Sequence, residues 1–263
     1  MIVDGKAIAA SILESVAEDV SKLDHVPCMA AVTCSPNFET KKYLDMKKKK
    51  AAAVGISLSV VELPADATTE DVLACVARVV KDSDGIVVQL PLPDQIDKEA
   101  VIAAIPTDKD PDGFHYGNVD SACLPPVVGA IDAITKRHQV EWLGKKVAVL
   151  GEGRLVGLPA KHYAEKAGAE VTVITKSSPN KEAIKSADII ISGIGQPHFI
   201  KADSIKEGAV IFDAGTSEDG GVLVGDADSS VVEKVSLITP VPGGIGPITI
   251  ACLLRNLIGL VRQ

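Results

Sequence analysis

Apolar residues recur along the chain in two alternating patterns, one with the period of a helix and one made of short continuous runs. Residues 4 to 23 carry apolar side chains three and four positions apart, which predicts an amphipathic helix. The next apolar run, Cys28 to Cys34, follows Pro27 and predicts a short buried strand. Gly85 to Leu90 is a similar run. Strands that alternate with helices in this way predict parallel sheets with crossover helices, and therefore an α/β fold.

The segment from Glu39 to Ile56 predicts a helix that carries one aromatic residue and a crowd of lysines. Tyr43 and Lys47 are four residues apart, so they project from the same face of that helix. Gly55 supplies a natural end. A solvated charged face is the ordinary interpretation of a lysine run. If Lys47 lies in a cleft instead, burial and neighbouring cations favour the neutral amine, which suits a proton-transfer group.

Two further elements extend the alternation. A strand is predicted from Ile56 to Glu62, and a helix is predicted to begin at Thr69. Thr68 stands directly before that helix and Asp71 lies three residues further on, which is the spacing of a capping box.

A polar residue stands where the predicted strand that begins at Gly85 ends. Gln89 comes at the carboxyl end of this run, and Pro91 and Pro93 then prevent further strand pairing. Open α/β sheets bind their ligands at the carboxyl ends of strands, although packing at the core edge also explains a single glutamine. Farther along, Asp108 to Gly113 places three carboxylates in one turn. That turn is either an ordinary acidic turn or one wall of a cleft.

The second half of the chain repeats the alternation around a glycine-rich turn. Residues 113 to 127 contain Pro125 and Pro126 and predict the crossing to a second domain. The strand Lys146 to Leu150 then runs into a glycine turn and a helix, which is the context of dinucleotide binding. The Gly-x-Gly-x-x-x-Gly spacing puts the last glycine one place late, so a plain tight turn is the alternative. The turn residues predicted to bind a cofactor are Gly151, Glu152, Gly153, Arg154, Leu155 and Val156.

The end of the next strand bears on the choice between NAD and NADP. About twenty residues after the first glycine, an NAD site has an acidic residue that holds the ribose hydroxyls. The strand Val171 to Thr175 ends instead in Lys176 and Ser177, a cation and a hydroxyl that suit a 2′-phosphate and favour NADP. Glu152 favours NAD, and an ordinary polar loop also explains Lys176. The following strands end in further candidate cofactor contacts, namely Gly193, Gly195, Gly215 and Thr216.

Composition and charge narrow the function classes. A net charge of -8 argues against a nucleic-acid-binding protein, which needs excess Lys and Arg to neutralise phosphates. Five cysteines without a Cys-x-x-Cys spacing predict neither a disulfide framework nor a zinc site, and they fit a reducing cytoplasm. Asp4 and Lys6 leave no apolar core for a signal peptide. Val235 to Leu254 is uncharged, but its prolines and glycines predict a loop followed by a helix and no membrane span.

Four segments carry a more specific signal than any single pattern. They are Tyr43-x-x-x-Lys47 with Val54-Gly55-Ile56, Val88-Gln89-Leu90-Pro91-Leu92-Pro93, Lys109-Asp110-x-Asp112-Gly113-Phe114, and Ile238 to Thr249. In this order and at this spacing they resemble the methylenetetrahydrofolate dehydrogenase/cyclohydrolase family, and the similarity runs over nearly the whole chain.

The resemblance implies a fold of two α/β domains and two reactions in one site. A folate-binding catalytic domain, residues 1–122 completed by residues 248–263, precedes a Rossmann-type NAD(P)-binding domain, residues 123–247. The C-terminal helix returns to the first domain, and members are usually homodimers. Hydride passes from 5,10-methylenetetrahydrofolate to NADP, with NAD as the other possible acceptor, and water then opens the methenyl product to 10-formyltetrahydrofolate. The implied setting is cytoplasmic one-carbon metabolism that supplies purine biosynthesis, and no metal is required.

The resemblance also assigns roles to individual residues. Lys47 corresponds to the proton-transfer lysine of the family, Gln89 to its hydrogen-bonding partner, Tyr43 to the aromatic residue that packs on the folate, and Asp112 to the carboxylate that binds the pterin. A carboxylate suits the amine and ring N–H donors of a pterin. Further implied substrate contacts are Val88, Leu90, Pro242, Gly243, Gly244, Ile245, Gly246 and Thr249.

Three departures from the family pattern leave other functions open. Members usually have Ser at the position of Gly153, often a basic residue at that of Glu152, and Pro-Cys-Thr-Pro where this chain has Leu124-Pro125-Pro126-Val127. A cyclohydrolase with impaired hydride transfer and a folate-binding protein without catalysis are therefore alternatives. A two-domain dehydrogenase of amino or hydroxy acids is a further alternative, supported by fold analogy alone.

Overall fold

In the computed structural model, residues 1–262 are described and form two compact units. The first unit comprises Ser11–Pro125 and the chain from Ile250 onward, and the second comprises Met1–Ala10 and Pro126–Thr249. The elements up to residue 125 are α1 (Gly5–Val20), β1 (Cys28–Cys34), α2 (Phe38–Ala53), β2 (Ser57–Leu63), α3 (Thr69–Asp82), β3 (Gly85–Val88) and α4 (Lys98–Ala103). They continue with α5 (Pro126–His138), β4 (Lys146–Leu150), α6 (Gly157–Lys166), β5 (Glu170–Ile174), α7 (Lys181–Ser186), β6 (Ile189–Ser192), β7 (Val210–Asp213), β8 (Ser217–Asp219), β9 (Val222–Val224), β10 (Leu237–Ile238) and α8 (Ile245–Val261).

The first unit is built on a three-stranded parallel sheet in the order β2-β1-β3. Successive side chains of β1 point to opposite faces, so Met29 and Ala31 join one apolar cluster while Ala30 and Val32 join another. Both clusters are buried, which explains why β1 reads as a continuous apolar run. The cluster around Met29 includes residues of α8 from Ile250 onward, and the predicted return of the C-terminal helix to the first domain is confirmed.

Local hydrogen bonds define the helix ends in this unit. The Asn37 side chain accepts a hydrogen bond from the Thr40 backbone N–H at 2.8 Å and caps α2, while Gly55, with φ +81°, follows its end. The predicted capping box of α3 is confirmed. The Asp71 N–H donates to the Thr68 hydroxyl at 3.2 Å, and the Thr68 N–H donates to the Asp71 carboxylate at 2.9 Å.

The second unit contains a five-stranded parallel sheet in the order β10-β7-β6-β4-β5, with the β4-turn-α6 arrangement of a Rossmann-type domain. One face carries an aromatic cluster in which Trp142 stacks on Phe212 at 5.8 Å between ring centroids and meets Tyr163 edge-on. Gly220 and Gly221 join the antiparallel strands β8 and β9. Gly220 and Gly221 both have positive φ there, as a tight hairpin requires.

The segment Val235–Leu254 differs in part from its prediction as a loop followed by a helix. Leu237 and Ile238 form β10, which pairs in parallel with β7 at the sheet edge. The two residues are buried, and so short a strand has no periodicity that sequence reasoning detects. Within residues 1–262, no helix combines the length and apolarity needed to span a bilayer.

Candidate active site

Lys47 lies on the buried face of α2, where it is only 5% exposed. Leu44 and Ala51 are buried on the same face, three positions before and four after it, as helical geometry requires. The neighbouring lysines from Lys48 to Lys50 are exposed. The helix therefore has a solvated charged face, as the ordinary interpretation expects, but Lys47 is not part of it.

The amine of Lys47 has two close partners in the first unit. Its Nζ donates a hydrogen bond to Gln89 Oε1 at 3.0 Å and lies 4.9 Å from the centroid of the half-buried Tyr43 ring. Tyr43 is one turn before Lys47 on α2, so helix geometry alone brings these two side chains together.

Gln89 is held in a defined orientation at the carboxyl end of β3. Its backbone N–H donates to Val32 O at 2.9 Å, and its Nε2 donates to Leu90 O at 2.9 Å. The amide oxygen is therefore the atom that faces Lys47. Val88 before it is buried, Leu90 after it is half-buried, and the Leu90–Pro91 peptide bond is cis.

The acidic turn separates its three carboxylates into different environments. Asp108 is exposed. Asp110 is buried, its Oδ2 accepts a hydrogen bond from the His115 N–H at 3.2 Å, and burial raises its pKa to about 6. Burial also raises the pKa of Asp112, while the charge of Lys47 acts on it in the opposite direction. Asp112 is therefore the carboxylate of this turn that interacts electrostatically with Lys47.

Two other residues of the same motif shape the turn. The Lys109 Nζ donates to Val80 O at 2.8 Å and to Ser83 O at 2.6 Å, which caps the carboxyl end of α3. Gly113 has φ +66°, and a Cβ there would lie 2.4 Å from Cys123 O. Both residues hold the turn in place. Lys47 is the common member of the cluster in the first unit, because it contacts Gln89 and Tyr43 and its charge acts on Asp112.

The predicted glycine turn of the second unit has three glycines with three different environments. Gly151 has φ +87°, which favours glycine. A Cβ on Gly157 would lie 2.1 Å from Gly151 O, so this glycine permits α6 to pack closely on the turn. A Cβ on Gly153 would meet nothing within 4 Å. Although the last glycine comes one place late, the turn, the close packing and an open approach to backbone are all present, as a bound pyrophosphate needs.

The other predicted cofactor residues lie in this turn or in the loops that follow β5, β6 and β7. A Cβ on Gly193, after β6, would lie 2.8 Å from Val156, so the loop after β6 packs directly on the glycine turn. Gly195 has φ +64°, Gly215 is buried and Arg154 is half-buried. The exposed positions are Glu152, Gly153, Leu155, Lys176, Ser177, Gly193, Gly195 and Thr216. Lys176 and Ser177 follow β5, which lies beside β4 in the sheet.

The predicted substrate loop also belongs to the second unit. The Gly244 N–H donates to Pro240 O at 2.7 Å, and a Cβ on Gly244 would lie 2.6 Å from the same oxygen. Gly243 has φ +109°. The Thr249 Oγ1 donates to Gly246 O at 2.7 Å. The loop exposes Pro242 and Gly246 and buries Gly244, Ile245 and Thr249, with Gly243 half-buried.

Sequence reasoning missed two buried carboxylates of the second unit. Asp213 ends β7 and Asp226 follows β9, and they are 2% and 0% exposed. The available signal was the placement of Asp213 directly after three apolar strand residues, since buried carboxylates need dedicated partners. Among residues 1–262, no group of three or more His, Cys, Asp or Glu residues is placed to hold a metal ion.

Comparison with known proteins connects both sites to one family. The family model for the tetrahydrofolate dehydrogenase/cyclohydrolase catalytic domain matches residues 3–112, and the model for its NAD(P)-binding domain matches residues 123–263. The bifunctional protein FolD of Campylobacter hominis is 39% identical over 272 residues, which cover 98% of this chain and 95% of that protein. The FolD protein of Lactococcus lactis is 36% identical, with 97% and 95% covered.

Solved structures show the same similarity over the whole chain. The bifunctional FolD enzyme of Campylobacter jejuni has a TM-score of 0.95 at 32% identity, covering 100% of this chain and 98% of that one. The Trypanosoma brucei enzyme, crystallised with NADP and an inhibitor, has a TM-score of 0.92 at 33% identity, with 100% and 97% covered. These findings confirm the resemblance first seen in four short segments. The chain belongs to the tetrahydrofolate dehydrogenase/cyclohydrolase family.

Proposed function

We propose that this protein oxidises 5,10-methylenetetrahydrofolate to the 5,10-methenyl form with NADP and then hydrolyses that product to 10-formyltetrahydrofolate. The observation that carries the proposal is the buried Lys47 amine, hydrogen-bonded to Gln89 Oε1 at 3.0 Å and within electrostatic reach of Asp112. We assign folate binding to residues 1–122 with 248–263, and NADP binding to residues 123–247.

The cluster around Lys47 suits the hydrolytic step. A water molecule adds to the electron-poor methenyl carbon, and the bond from that carbon to N5 then breaks. Lys47 in its neutral form takes a proton from the attacking water and delivers a proton to N5 as it leaves. The second water proton is released, so one H⁺ leaves for each methenyl cation opened. Gln89 holds the lysine nitrogen in place through both transfers, because its own amide is fixed by Leu90 O.

The remaining residues of the cluster bind and orient the folate. The Asp112 carboxylate accepts hydrogen bonds from the pterin amine and ring N–H groups. The Tyr43 ring, half-buried beside Lys47, packs on the folate ring system. Pro242, Gly243, Gly244, Ile245, Gly246 and Thr249, with Val88 and Leu90, complete the proposed substrate contacts.

The second unit offers the groups that would hold the cofactor. The backbone at Gly151 and Gly153 and the start of α6, whose N-cap makes no side-chain hydrogen bond, receive the pyrophosphate. Lys176 and Ser177 at the end of β5 receive the 2′-phosphate. NADP, when bound, supplies the hydride acceptor. Hydride transfer needs no acid or base from the chain, so the task of this unit is orientation.

The test is to add methylenetetrahydrofolate and NADP to the purified protein and follow the methenyl absorbance. It should rise with oxidation and then fall with hydrolysis. Replacing Lys47 with Met should slow hydrolysis of supplied methenyltetrahydrofolate by about a hundredfold or more, because the proton-transfer group is lost. The matched control is Lys48→Met, since Lys48 is exposed on the same helix. A Lys47→Met variant that hydrolyses as fast as wild type would remove the proposed mechanism.

A second candidate, a cyclohydrolase with impaired hydride transfer, is favoured by one observation. Glu152 places an exposed carboxylate in the turn proposed for the pyrophosphate, and like charges repel. Under this candidate, methenyl absorbance would not grow on addition of NADP and methylenetetrahydrofolate, although supplied methenyltetrahydrofolate would still be opened.

We also propose that the protein acts as a homodimer in the cytoplasm, where its product supplies purine biosynthesis. The family resemblance supports the dimer, and the five free cysteines fit a reducing compartment. Sedimentation equilibrium tests the dimer, which should give twice the chain mass of 27.3 kDa. The net charge of -8 supports small-molecule rather than nucleic-acid partners.

A further inference from the structure

Two buried carboxylates lie at the carboxyl edge of the second unit's sheet, next to the loops after β6 and β7 that the sequence predicts to contact the cofactor. Asp226 accepts three hydrogen bonds from one of these loops. They come from Ser192 Oγ at 2.6 Å, from the Ile194 N–H at 2.9 Å and from the Gln196 N–H at 2.7 Å. Ser192 is the last residue of β6, so one side chain determines how the chain leaves that strand.

Asp213 does the same for the neighbouring loop. Its carboxylate accepts hydrogen bonds from the Gly215 N–H at 2.9 Å and from the Ala227 N–H at 2.8 Å. The second of these ties Asp213 to the segment that carries Asp226. Burial raises the pKa of Asp213, and the negative charge of Asp226 acts in the same direction.

Two glycines make room for the two carboxylates. A Cβ on Gly215 would lie 2.3 Å from Asp226 Cγ, and a Cβ on Gly225 would lie 2.2 Å from Asp213 Oδ2. Two carboxylates are costly to bury side by side, and apolar residues would fill the same space at lower cost. Their hydrogen bonds go to the loops after β6 and β7 and to the return segment, so what they provide is a defined loop shape.

The order of strands indicates which half of the cofactor these loops would bind. In a Rossmann-type sheet the pyrophosphate lies over the first strand, here β4, and the adenosine half lies over the next strand, here β5. Strands β6 and β7 are on the other side of β4. Residues 193–196 and 214–216 are thus placed for the nicotinamide half.

We propose that Asp226 is a positioning residue for hydride transfer, which holds residues 192–196 in the shape that receives the nicotinamide half of NADP. The inference rests on the proposed function and adds the residue that sets the geometry of its cofactor site. Asp226 touches neither cofactor nor substrate in this scheme, since it acts through Ser192 Oγ and the backbone N–H groups of Ile194 and Gln196.

The test compares two ligands in the full-length Asp226→Asn variant. An asparagine keeps the size but has one acceptor oxygen, so the Gln196 N–H or its neighbours would face an NH₂ group. NADP should bind about tenfold more weakly, and kcat for hydride transfer should fall. Adenosine 2′,5′-bisphosphate, which contains only the adenosine half, should bind as in wild type. Hydrolysis of supplied methenyltetrahydrofolate should also be unchanged.

Asp188→Asn is the matched control. Asp188 directly precedes β6 at the opposite edge of the same sheet and accepts a hydrogen bond from the Lys146 N–H at 2.9 Å. The variant should lose stability without changing the NADP to adenosine bisphosphate affinity ratio. If Asp226→Asn does not fold, Ser192→Ala removes a single bond to Asp226 and should weaken NADP about threefold while sparing adenosine bisphosphate.

Each result decides the inference. An unchanged affinity ratio in these variants, whether both ligands bind normally or both weaken equally, would overturn the positioning role and leave the proposed function intact. Wild-type protein that binds neither ligand would overturn the proposed NADP function, and this inference with it.

Discussion

The two candidate sites of this protein use different parts of the chain, one mainly side chains and the other mainly backbone. In the first unit the chemistry belongs to side chains, because the Lys47 amine is bonded to the Gln89 amide and its charge acts on the Asp112 carboxylate. In the second unit it belongs to the backbone, because the glycine turn from Gly151 to Gly157 and the loop after β6 set the path of the chain, with open space at Gly153. A proton-transfer reaction needs particular functional groups, whereas a flat, charged cofactor needs a shaped surface of donors.

This difference predicts which kind of substitution inactivates each site. A side-chain site is lost when one functional group is removed, and the fold around it survives. A backbone site is lost when a group is added, since the added atoms change the path of the chain. Substitution of Lys47 or Gln89 should therefore slow hydrolysis and spare hydride transfer, whereas a side chain added in the glycine turn should do the reverse.

The largest expected effect comes from adding one methyl group at Gly157. In Gly157→Ala the new Cβ would lie 2.1 Å from Gly151 O, a backbone atom that moves only if the whole turn moves. Hydride transfer should fall by about a hundredfold, because the pyrophosphate site is displaced. Hydrolysis of supplied methenyltetrahydrofolate should stay near the wild-type rate. Steady-state assays of the two half-reactions measure this.

The control for Gly157→Ala is Gly259→Ala, since a Cβ on Gly259 in α8 meets nothing within 4 Å. It should leave both reactions unchanged. Loss of both reactions in Gly157→Ala, with a cooperative unfolding transition retained, would show that the two sites do not fail separately.

The next effect is the reverse case, in which a functional group is removed from the first unit. Gln89→Leu leaves the buried Lys47 amine without its acceptor at 3.0 Å. Hydrolysis should slow by roughly ten- to a hundredfold, because the amine is no longer held in position. NADP affinity should be unchanged. Single-turnover hydrolysis and a calorimetric NADP titration measure the two quantities.

Gln95→Leu is the control, because the Gln95 Nε2 also donates to a backbone carbonyl, Ala65 O at 2.7 Å, outside the cluster. If the two glutamine variants were slowed equally, Gln89 would be contributing to stability alone.

The same contrast explains what sequence reasoning found. The predicted bounds of β1 and β4 match the structure, and the capping box at Thr68 is confirmed, because apolar runs and caps are local signals. Tyr43 and Lys47 meet as predicted, since helix geometry guarantees it. The candidate site residues were chosen by type and by family resemblance, because a glutamine or carboxylate beside a buried strand is conspicuous, and their roles stay predictions.

The misses are long-range. Asp226 bonds residues that lie 30 to 34 positions earlier in the chain, and no local pattern indicates such a pairing. Strand β10 exists because β7 is beside it, not because two residues predict a strand. Backbone sites depend on such distant contacts. The sequence therefore predicted the glycines of the candidate cofactor site better than it predicted the path of the loops that carry them.

The next prediction concerns Asp110, a buried carboxylate of the first unit. It tests whether burying an ionised carboxylate lowers stability in this unit, as argued above for Asp213 and Asp226 in the second unit. Burial raises the pKa of Asp110 from 3.8 to about 6, so its stabilising contribution is complete below pH 3.8 and is lost as pH rises towards 6. Asp110→Asn, which cannot ionise, should gain stability relative to wild type across that interval, by about 3 kcal/mol above pH 6. Urea unfolding between pH 4 and pH 8 measures this, with the exposed Asp108→Asn as control. A difference that shrinks as pH rises would mean that the native state favours ionised Asp110.

The smallest expected effect comes from adding a side chain at Gly153, in the site of the second unit that is made of backbone. A Cβ on Gly153 meets nothing within 4 Å and its φ is not in the left-handed region, so Gly153→Ser should fold normally. The serine adds a hydroxyl that can donate to a phosphate oxygen. KM for NADP should fall about threefold, with methenyltetrahydrofolate hydrolysis unchanged. If KM rises instead, the pyrophosphate approaches the Gly153 backbone so closely that a side chain is excluded, and the second unit's site is made of backbone at that position by necessity.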